Sequence, residues 1–431
     1  MINHIGIIGY GIMSKNISYN LIKKKIKISI YNKEKLKIKL KFYNILIITN
    51  CLKKFLKSLP KIKLIFILIK TGKPIKIVIL KLKKNLSIKD IVIDFGNSFY
   101  KNSFINNNII KNKFIFICSG ISGGSDGALN GLCCMIDFNI KILFKINNII
   151  KKIVFNKKKR FSFCLSIGFS SSHFIKMIHN GIEYGILQLI SEIYFLIKKI
   201  LINKKKIINI FINWNKTDLN SYLLKILLNI ILKKKNKILD IIDHKGTGMN
   251  CVISCIKKNI NINSIFEALI IRIISKDIFY RNIIKKNNFI KIFLNLSLLF
   301  EIIKNCFFIC KLLSYIQGIN SIIKNFKKYN WKLNFNNLIK SYFNSCIISS
   351  KILFYLLFLN KNFFLTFFFI NYIKKYNFIK KKCLIFINLN ISFLYIFSCL
   401  NFINLIIYKN YNFKIIQFER NYFGNHKLNY I

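Results

Sequence analysis

An α/β domain with a mostly parallel sheet, followed by a large all-α domain and a short C-terminal tail, is the fold class this sequence predicts. Three observations carry it. Near the start, His4-Ile-Gly-Ile-Ile-Gly-Tyr-Gly11 reads as an apolar strand running into a glycine turn, with a helical run to about Lys25 and a second strand at Ile26–Lys33. Continuous apolar runs at Leu64–Lys70, Ile91–Asn97 and Phe114–Cys118 have the pattern of parallel strands buried on both faces. After about residue 170 the texture changes to long apolar stretches with helical spacing and few glycines. At 431 residues the chain exceeds what one core organises. The expected division is a sheet domain over 1–170, a helical domain over 171–410 and a polar, aromatic tail over 411–431.

The strand, glycine turn and helix at the start make the first domain Rossmann-like. Gly9 and Gly11 allow the tight turn and let a pyrophosphate approach the helix N-terminus, whose unpaired amides favour an anion. Tyr10, Ile12 and Met13 are candidate cofactor contacts in that turn, and Ser14 stands where the generic fingerprint has Gly or Ala. At the end of the second strand an NAD-binding chain carries an acid for the ribose hydroxyls. Asn32 followed by the cation Lys33 suits a 2′-phosphate instead, so NADP is favoured. Glu34 opposes that phosphate and leaves NAD open.

Charge and cysteine content bound the remaining classes. The formal charge is +58, from 72 Lys+Arg against 14 Asp+Glu. The lysines are scattered through every segment among an excess of Ile and Asn, the drift expected of an AT-rich genome rather than one basic patch. No specific nucleic-acid function is expected, although non-specific polyanion binding follows from the charge. Twelve cysteines suggest free thiols in a reducing, cytoplasmic setting. Cys251/Cys255 and Cys306/Cys310 fall on one helix face each, but no His or second pair completes a zinc set, so no metal is expected. Cys383 to Tyr408 carries no formal charge and is long enough to cross a bilayer. Asn388, Asn390, Asn401 and Asn404 interrupt it, so no membrane span is expected. The apolar start lacks a basic leader and is occupied by the glycine motif, so it is not read as a signal peptide.

The segment His173-Phe-Ile-Lys-Met-Ile-His-Asn-Gly-Ile-Glu-Tyr-Gly185 concentrates a base, an acid and polar groups. On a helix, Lys176 and Glu183 project from one face about 10 Å apart along the axis. His179 lies between them with Asn180 beside it. Such a pair can address opposite ends of a small polar molecule, one taking a proton and the other delivering one.

This segment resembles the helix that carries the catalytic lysine and glutamate of the decarboxylating 6-phosphogluconate dehydrogenases. Ile69-Lys-Thr-Gly72 looks like that family's cofactor loop, Asp94-Phe-Gly-Asn-Ser98 like its DGGNS turn, and Gly120-Ile-Ser-Gly-Gly124 like its carboxylate loop. Lys245-Gly-Thr-Gly248, Glu267-Ala-Leu-Ile-Ile-Arg272 and Gln417-Phe-Glu-Arg-Asn-Tyr-Phe-Gly-Asn-His426 continue the series in family order. The resemblance implies oxidative decarboxylation of 6-phosphogluconate to ribulose 5-phosphate by a homodimer. It implies cofactor contacts at Ile69, Lys70, Thr71 and Asn97 as well as the N-terminal turn. Asn97, Ser122, Gly123, Gly124, His179 and Asn180 would hold the carboxylate and hydroxyls of the substrate. Tyr184, Lys245, Thr247, Arg272, Arg420 and His426 would gather around its phosphate, Arg420 and His426 from the partner's tail. Lys176 would be the base on the C3 hydroxyl and Glu183 the acid at C1, which requires the lysine pKa to fall from its free value of about 10.4.

The chain departs from the family pattern at Met249-Asn250, where Lys-Trp usually follows KGTG, and at Phe343-Asn-Ser-Cys-Ile-Ile-Ser-Ser350, a worn form of RGGCIIRS. Two other readings compete: a β-hydroxyacid dehydrogenase without decarboxylation, and a decayed, non-catalytic polyanion-binding chain. Glu183, the KGTG turn and the Arg420/His426 tail weigh against the first, and the intact proton-transfer positions against the second.

Overall fold

The computed structural model describes residues 2–34, 44–137, 140–154, 156–157, 160–233, 238–243, 245–283, 295–357, 393–407 and 413–424. The first half forms a sheet from β1 (His4–Ile8), β2 (Lys27–Tyr31), β3 (Ile45–Thr49), β4 (Leu64–Ile67), β5 (Ile91–Asp94), β6 (Ile115–Ser122) and β7 (Cys133–Asp137), with helices α1 (Ile12–Lys23), α2 (Leu52–Lys57), α3 (Lys73–Lys83), α4 (Tyr100–Ile110), α5 (Gly124–Asn130) and α6 (Ile140–Ile153). The short pair β8 (Asn156–Lys157) and β9 (Arg160–Phe161) leads into β10 (Phe163–Ile167). Strands β3-β2-β1-β4-β5-β6 are parallel, and the order reverses away from β1, so the glycine turn after β1 opens at the carboxyl edge where such sheets bind ligands. Every residue of β1, β4 and β5 is buried, in keeping with their unbroken apolar sequences.

Beyond β6 the sheet is mixed. β7 turns back antiparallel on β6 and β10 pairs parallel with β7. The second half also contributes a strand: β11 (Lys332–Leu333) leaves a long helix and pairs antiparallel with Ser166 and Ile167. Trp331 lies so close to Gly168 that a Cβ there would sit 2.0 Å from its ring, which fixes the approach of that strand.

The remainder is helical: α7 (Ser171–Ile200), α8 (Lys204–Trp214), α9 (Tyr222–Leu232), α10 (Thr247–Ile256), α11 (Asn263–Ile274), α12 (Ile278–Ile283), α13 (Leu296–Lys328), α14 (Phe335–Ser345) and α15 (Ile352–Leu357), then helices Leu394–Ile407 and Phe413–Gly424. Helix α7 runs through the centre, packed against α10, α11, α13 and the strand β6. Its buried positions go all round, as a helix surrounded by others requires. Lys311 on α13 is fully buried, its Nζ donating to Leu219 O at 3.0 Å, and desolvation pulls its pKa down to about 7.

Of the uncharged stretch Cys383–Tyr408, the described part is the helix Leu394–Ile407 with the preceding Phe393; the rest lies outside the described residues. That helix packs on α7, α11 and α13, and Glu192 of α7 caps it by accepting from the N–H groups of Tyr395 and Ile396. Among the described residues no helix is long and apolar enough to cross a membrane. Cys251, Cys255, Cys306 and Cys310 are all buried.

Candidate active site

A cleft of about 790 Å³ lies between the carboxyl edge of the sheet and helix α7. Its sheet side is formed by Gly11, Ile12, Met13 and Ser14 after β1, Ile69 after β4 and Asn97 after β5. Gly9 adopts φ +93° and a Cβ there would lie 2.6 Å from Leu68 O, so only glycine fits the turn. Gly11 is the N-cap of α1, whose first amides open toward the cleft. Asp94 shapes the next turn from within: its carboxylate accepts from Gly96 N at 2.8 Å and Ser98 Oγ at 2.7 Å, which leaves Asn97 exposed at the tip.

The helical side is formed by Lys176, Asn180, Glu183 and Tyr184 of α7, with Lys245 and Thr247 at the start of α10. Lys176 is 5% exposed. It approaches β6 so closely that a Cβ on Gly120 would lie 2.4 Å from its own Cβ. Burial pulls its ammonium below the ordinary range, with Glu183 opposing that shift. Burial pushes the Glu183 carboxyl up, opposed by Lys176 and Arg272. An amine and a carboxyl displaced toward each other are suited to exchange protons with one bound molecule.

His179 links these groups. Its Nε2 is 3.0 Å from Ser122 Oγ and its Nδ1 3.5 Å from Lys176 Nζ, with Glu183 Oε2 at 4.0 Å. Desolvation, reinforced by Lys176, holds its pKa well below the usual value, so the ring is neutral. Ser122 Oγ also accepts from Ile347 N at 3.2 Å, which ties the β6 loop to the segment after α14. Gly123 and Gly124 both have positive φ, at +120° and +63°, and of the two Gly124 lines the cleft while Gly123 is buried.

Arg272 stacks over Tyr184, its guanidinium carbon 3.5 Å from the ring centroid. Its Nε is buried without a hydrogen-bond partner, so the group has unused donor capacity, and it lies behind Tyr184 rather than in the cleft lining. Desolvation lowers its pKa, with Tyr184 and Glu183 opposing. Gly248 makes room for this stack, since a Cβ there would sit 2.4 Å from the Tyr184 ring.

Several sequence-selected residues stand outside the cleft lining. Asn32 accepts from Tyr10 N at 3.3 Å and donates to Glu34 O at 3.0 Å, so its amide braces the turn rather than facing the cleft. Lys33, Glu34 and Lys70 are exposed beyond that turn, with Thr71 half-buried beside Lys70. Arg420 lies on the exposed helix Phe413–Gly424, and His426 falls outside the described residues. The cleft also contains Phe95, Ile121, Ser125, Asp243 and Ile347, which the sequence did not single out. Ile347 lies within the worn Phe343–Ser350 segment, and Asp243 sits just before Lys245; proximity to recognised motifs was the signal available for both.

A glycine turn at the carboxyl edge of a parallel sheet, facing a helix that presents a desolvated lysine and a raised glutamate, defines a nicotinamide-dependent dehydrogenase with a helical second domain. The sequence model for the NAD binding domain of 6-phosphogluconate dehydrogenase matches residues 4–156, and that for the 6-phosphogluconate dehydrogenase C-terminal domain matches residues 172–431. The decarboxylating 6-phosphogluconate dehydrogenase of Buchnera aphidicola from Schizaphis graminum is 34% identical over 81% of this chain and 78% of its own. The NADP(+)-dependent, decarboxylating enzyme of Bacillus subtilis is 30% identical over the same shares. The solved 6-phosphogluconate dehydrogenase of Plasmodium falciparum, described with NADP+ and with 6-phosphogluconate, superposes with a TM-score of 0.88 at 28% identity, covering 99% of this chain and 98% of that one. The chain belongs to the 6-phosphogluconate dehydrogenase family.

Proposed function

We propose that the chain catalyses oxidative decarboxylation of 6-phosphogluconate to ribulose 5-phosphate with reduction of NADP, the step such enzymes perform in the pentose phosphate pathway. The observation that carries this reading is the pairing of desolvated Lys176 with Glu183 on one wall of a cleft whose other wall holds the glycine turn of the sheet. Bound at that turn, NADP supplies the hydride acceptor. Lys176 takes the proton of the C3 hydroxyl as the C3 hydride leaves. The 3-keto acid loses carbon dioxide from C1, and Glu183 protonates the resulting enediol carbon. Ser122, the Gly123–Gly124 backbone, His179 and Asn180 hold the carboxylate and hydroxyls, and Asn97 stands between substrate and cofactor. Tyr184, Lys245, Thr247 and Arg272 take the phosphate.

The tail completes the site in a homodimer. Helix Phe413–Gly424 buries none of its residues, and Ile415, Ile416 and Phe418 are each more than half exposed. Apolar area of that kind favours a covering surface at about 25 cal/mol per Å². A second copy supplies it, and Arg420 and His426 then reach the partner's phosphate site. A reducing cytoplasm suits the eleven described cysteines, among which no disulfide forms.

The test is the absorbance of reduced nicotinamide on mixing the protein with 6-phosphogluconate and either NADP or NAD, with carbon dioxide followed in parallel. One carbon dioxide per reduced NADP is expected. Reduction without carbon dioxide would establish a simple β-hydroxyacid dehydrogenase, and a silent reaction with both cofactors would support the decayed chain.

A further inference from the structure

We propose that His173 is a positioning residue that ties the Asn97 turn of the nucleotide-binding sheet to the Lys176 turn of helix α7, setting the alignment between the two sides of the cleft. The proposal rests on the functional reading above and adds a residue to it that contacts neither cofactor nor substrate.

His173 is 1% exposed and lies one helical turn before Lys176. Its Nε2 is 3.1 Å from Asp94 O and its Nδ1 2.7 Å from Ser103 Oγ. A carbonyl only accepts, so Nε2 carries the proton and donates to Asp94, while Nδ1 accepts from the Ser103 hydroxyl. Both ring nitrogens are thereby used, and burial keeps the imidazole neutral. Asp94 is the residue whose carboxylate builds the Gly96–Ser98 turn and so places Asn97. The same imidazole therefore grips the base of the Asn97 turn from the helix that carries Lys176.

The surroundings leave this tie as the adjustable one. The neighbouring Ser172 Oγ donates to Cys118 O at 2.8 Å and Ser171 Oγ to Ser166 Oγ at 2.7 Å, so the first turn of α7 is fastened to β6 and β10 independently. Those contacts fix the helix against β6 and β10. The hydrogen bond of His173 is the one from this turn that goes to β5, whose carboxyl end faces the cleft. Hydride transfer from C3 depends on that alignment, because reacting atoms must meet within a narrow range of distance and angle.

Substitution separates the two ring atoms. Glutamine places an amide N–H near the Nε2 position and retains the bond to Asp94; asparagine reaches only the Nδ1 position and loses it. His173→Gln is expected to keep kcat within about 3-fold, whereas His173→Asn is expected to lower kcat about 30- to 100-fold. In both variants the separate Kd values for NADP and 6-phosphogluconate stay near those of the parent, because neither ligand touches His173. The deuterium isotope effect on kcat, with substrate deuterated at C3, is expected to rise in His173→Asn as hydride transfer becomes slower than the other steps.

An unchanged kcat in His173→Asn, equal losses in both variants that follow their melting temperatures, or an unaltered isotope effect would overturn the proposal. If His173→Asn does not fold, Ser103→Ala carries the same test: it frees the ring at Nδ1, and a kcat loss of about 3-fold with a raised isotope effect supports the tie while parental kinetics overturn it. Absence of any turnover in the parent protein would instead defeat the functional reading itself.

Discussion

Helix α7 and the helix Phe413–Gly424 both carry residues assigned to one phosphosugar site, yet they are built on opposite terms. The first is enclosed by helices and strands on every side and buries residues along its whole length; the second buries none on its own chain. The residues proposed for α7 thus sit where intrachain packing fixes them, with Lys176 jammed against Gly120 and the neighbouring His179 bonded to Ser122. The proposed tail residue Arg420 sits on a helix that the described residues of its own chain leave exposed. Acid–base chemistry needs a dry, rigid place, and closure over the phosphate needs a part that can be supplied after folding.

The largest expected effect breaks the comparison at the tail. Deleting residues 415–431 should abolish turnover while leaving the far-ultraviolet circular dichroism of the body nearly unchanged, since that helix contributes no buried residue to it. Full activity in the truncated protein would refute the tail assignment. On the enclosed side, Glu183→Gln should lower kcat by about 10²- to 10⁴-fold in a steady-state assay, the usual worth of a positioned proton donor. Unchanged kinetics would remove Glu183 from the mechanism.

Gly120→Ala should have a smaller effect confined to the enclosed side. The new methyl meets Lys176 Cβ and the Ser172 carbonyl, neither of which is the far end of a flexible chain. A destabilisation of about 1–3 kcal/mol by denaturant titration and a fall in kcat are expected together. Parental values of both would show that the approach of α7 to β6 has slack.

The smallest effect concerns pH. Desolvation raises the Glu192 pKa from 4.5 to about 7 despite its bonds to Gln188, Tyr395 and Ile396. The folded state therefore holds this proton more tightly than the unfolded one. Its contribution is present in full below pH 4.5 and is lost as pH rises toward 7. Between pH 5.5 and 8 the melting temperature of Glu192→Gln should fall by less than that of the parent; parallel curves would mean that Glu192 titrates as an ordinary carboxyl.

How much of this was legible in the sequence follows the same division. The Gly9–Gly11 turn, the buried strands and the helix from His173 to Gly185 each declare themselves through local chemistry: a backbone only glycine adopts, an unbroken apolar run, a spacing that aligns side chains. The reversal of β7 against β6 was not legible, because a run such as Cys133–Asp137 is equally apolar in either direction. Nor was the pairing of Lys332–Leu333 with β10, which joins segments far apart in the chain. Within the site, Lys176 and Glu183 were found by type and spacing, and Tyr184 by the family resemblance alone. Ile347 was not, since its part is played by a backbone N–H that any residue would supply. Asn32 carries a second part that its identity did not declare: its amide bonds Tyr10 N and Glu34 O and so braces the turn.

The buried amine of Lys311 has a consequence for how the chain reaches this state. Free in the unfolded polypeptide it is an ammonium ion, with an ordinary pKa of 10.5; enclosed beside the Leu219 carbonyl it titrates at about 7. At pH 8, then, folding releases most of a proton from this side chain to the solvent. Part of the apparent heat of folding belongs to whichever buffer receives it, so calorimetry in two buffers of different ionisation enthalpy should return different values for the same transition.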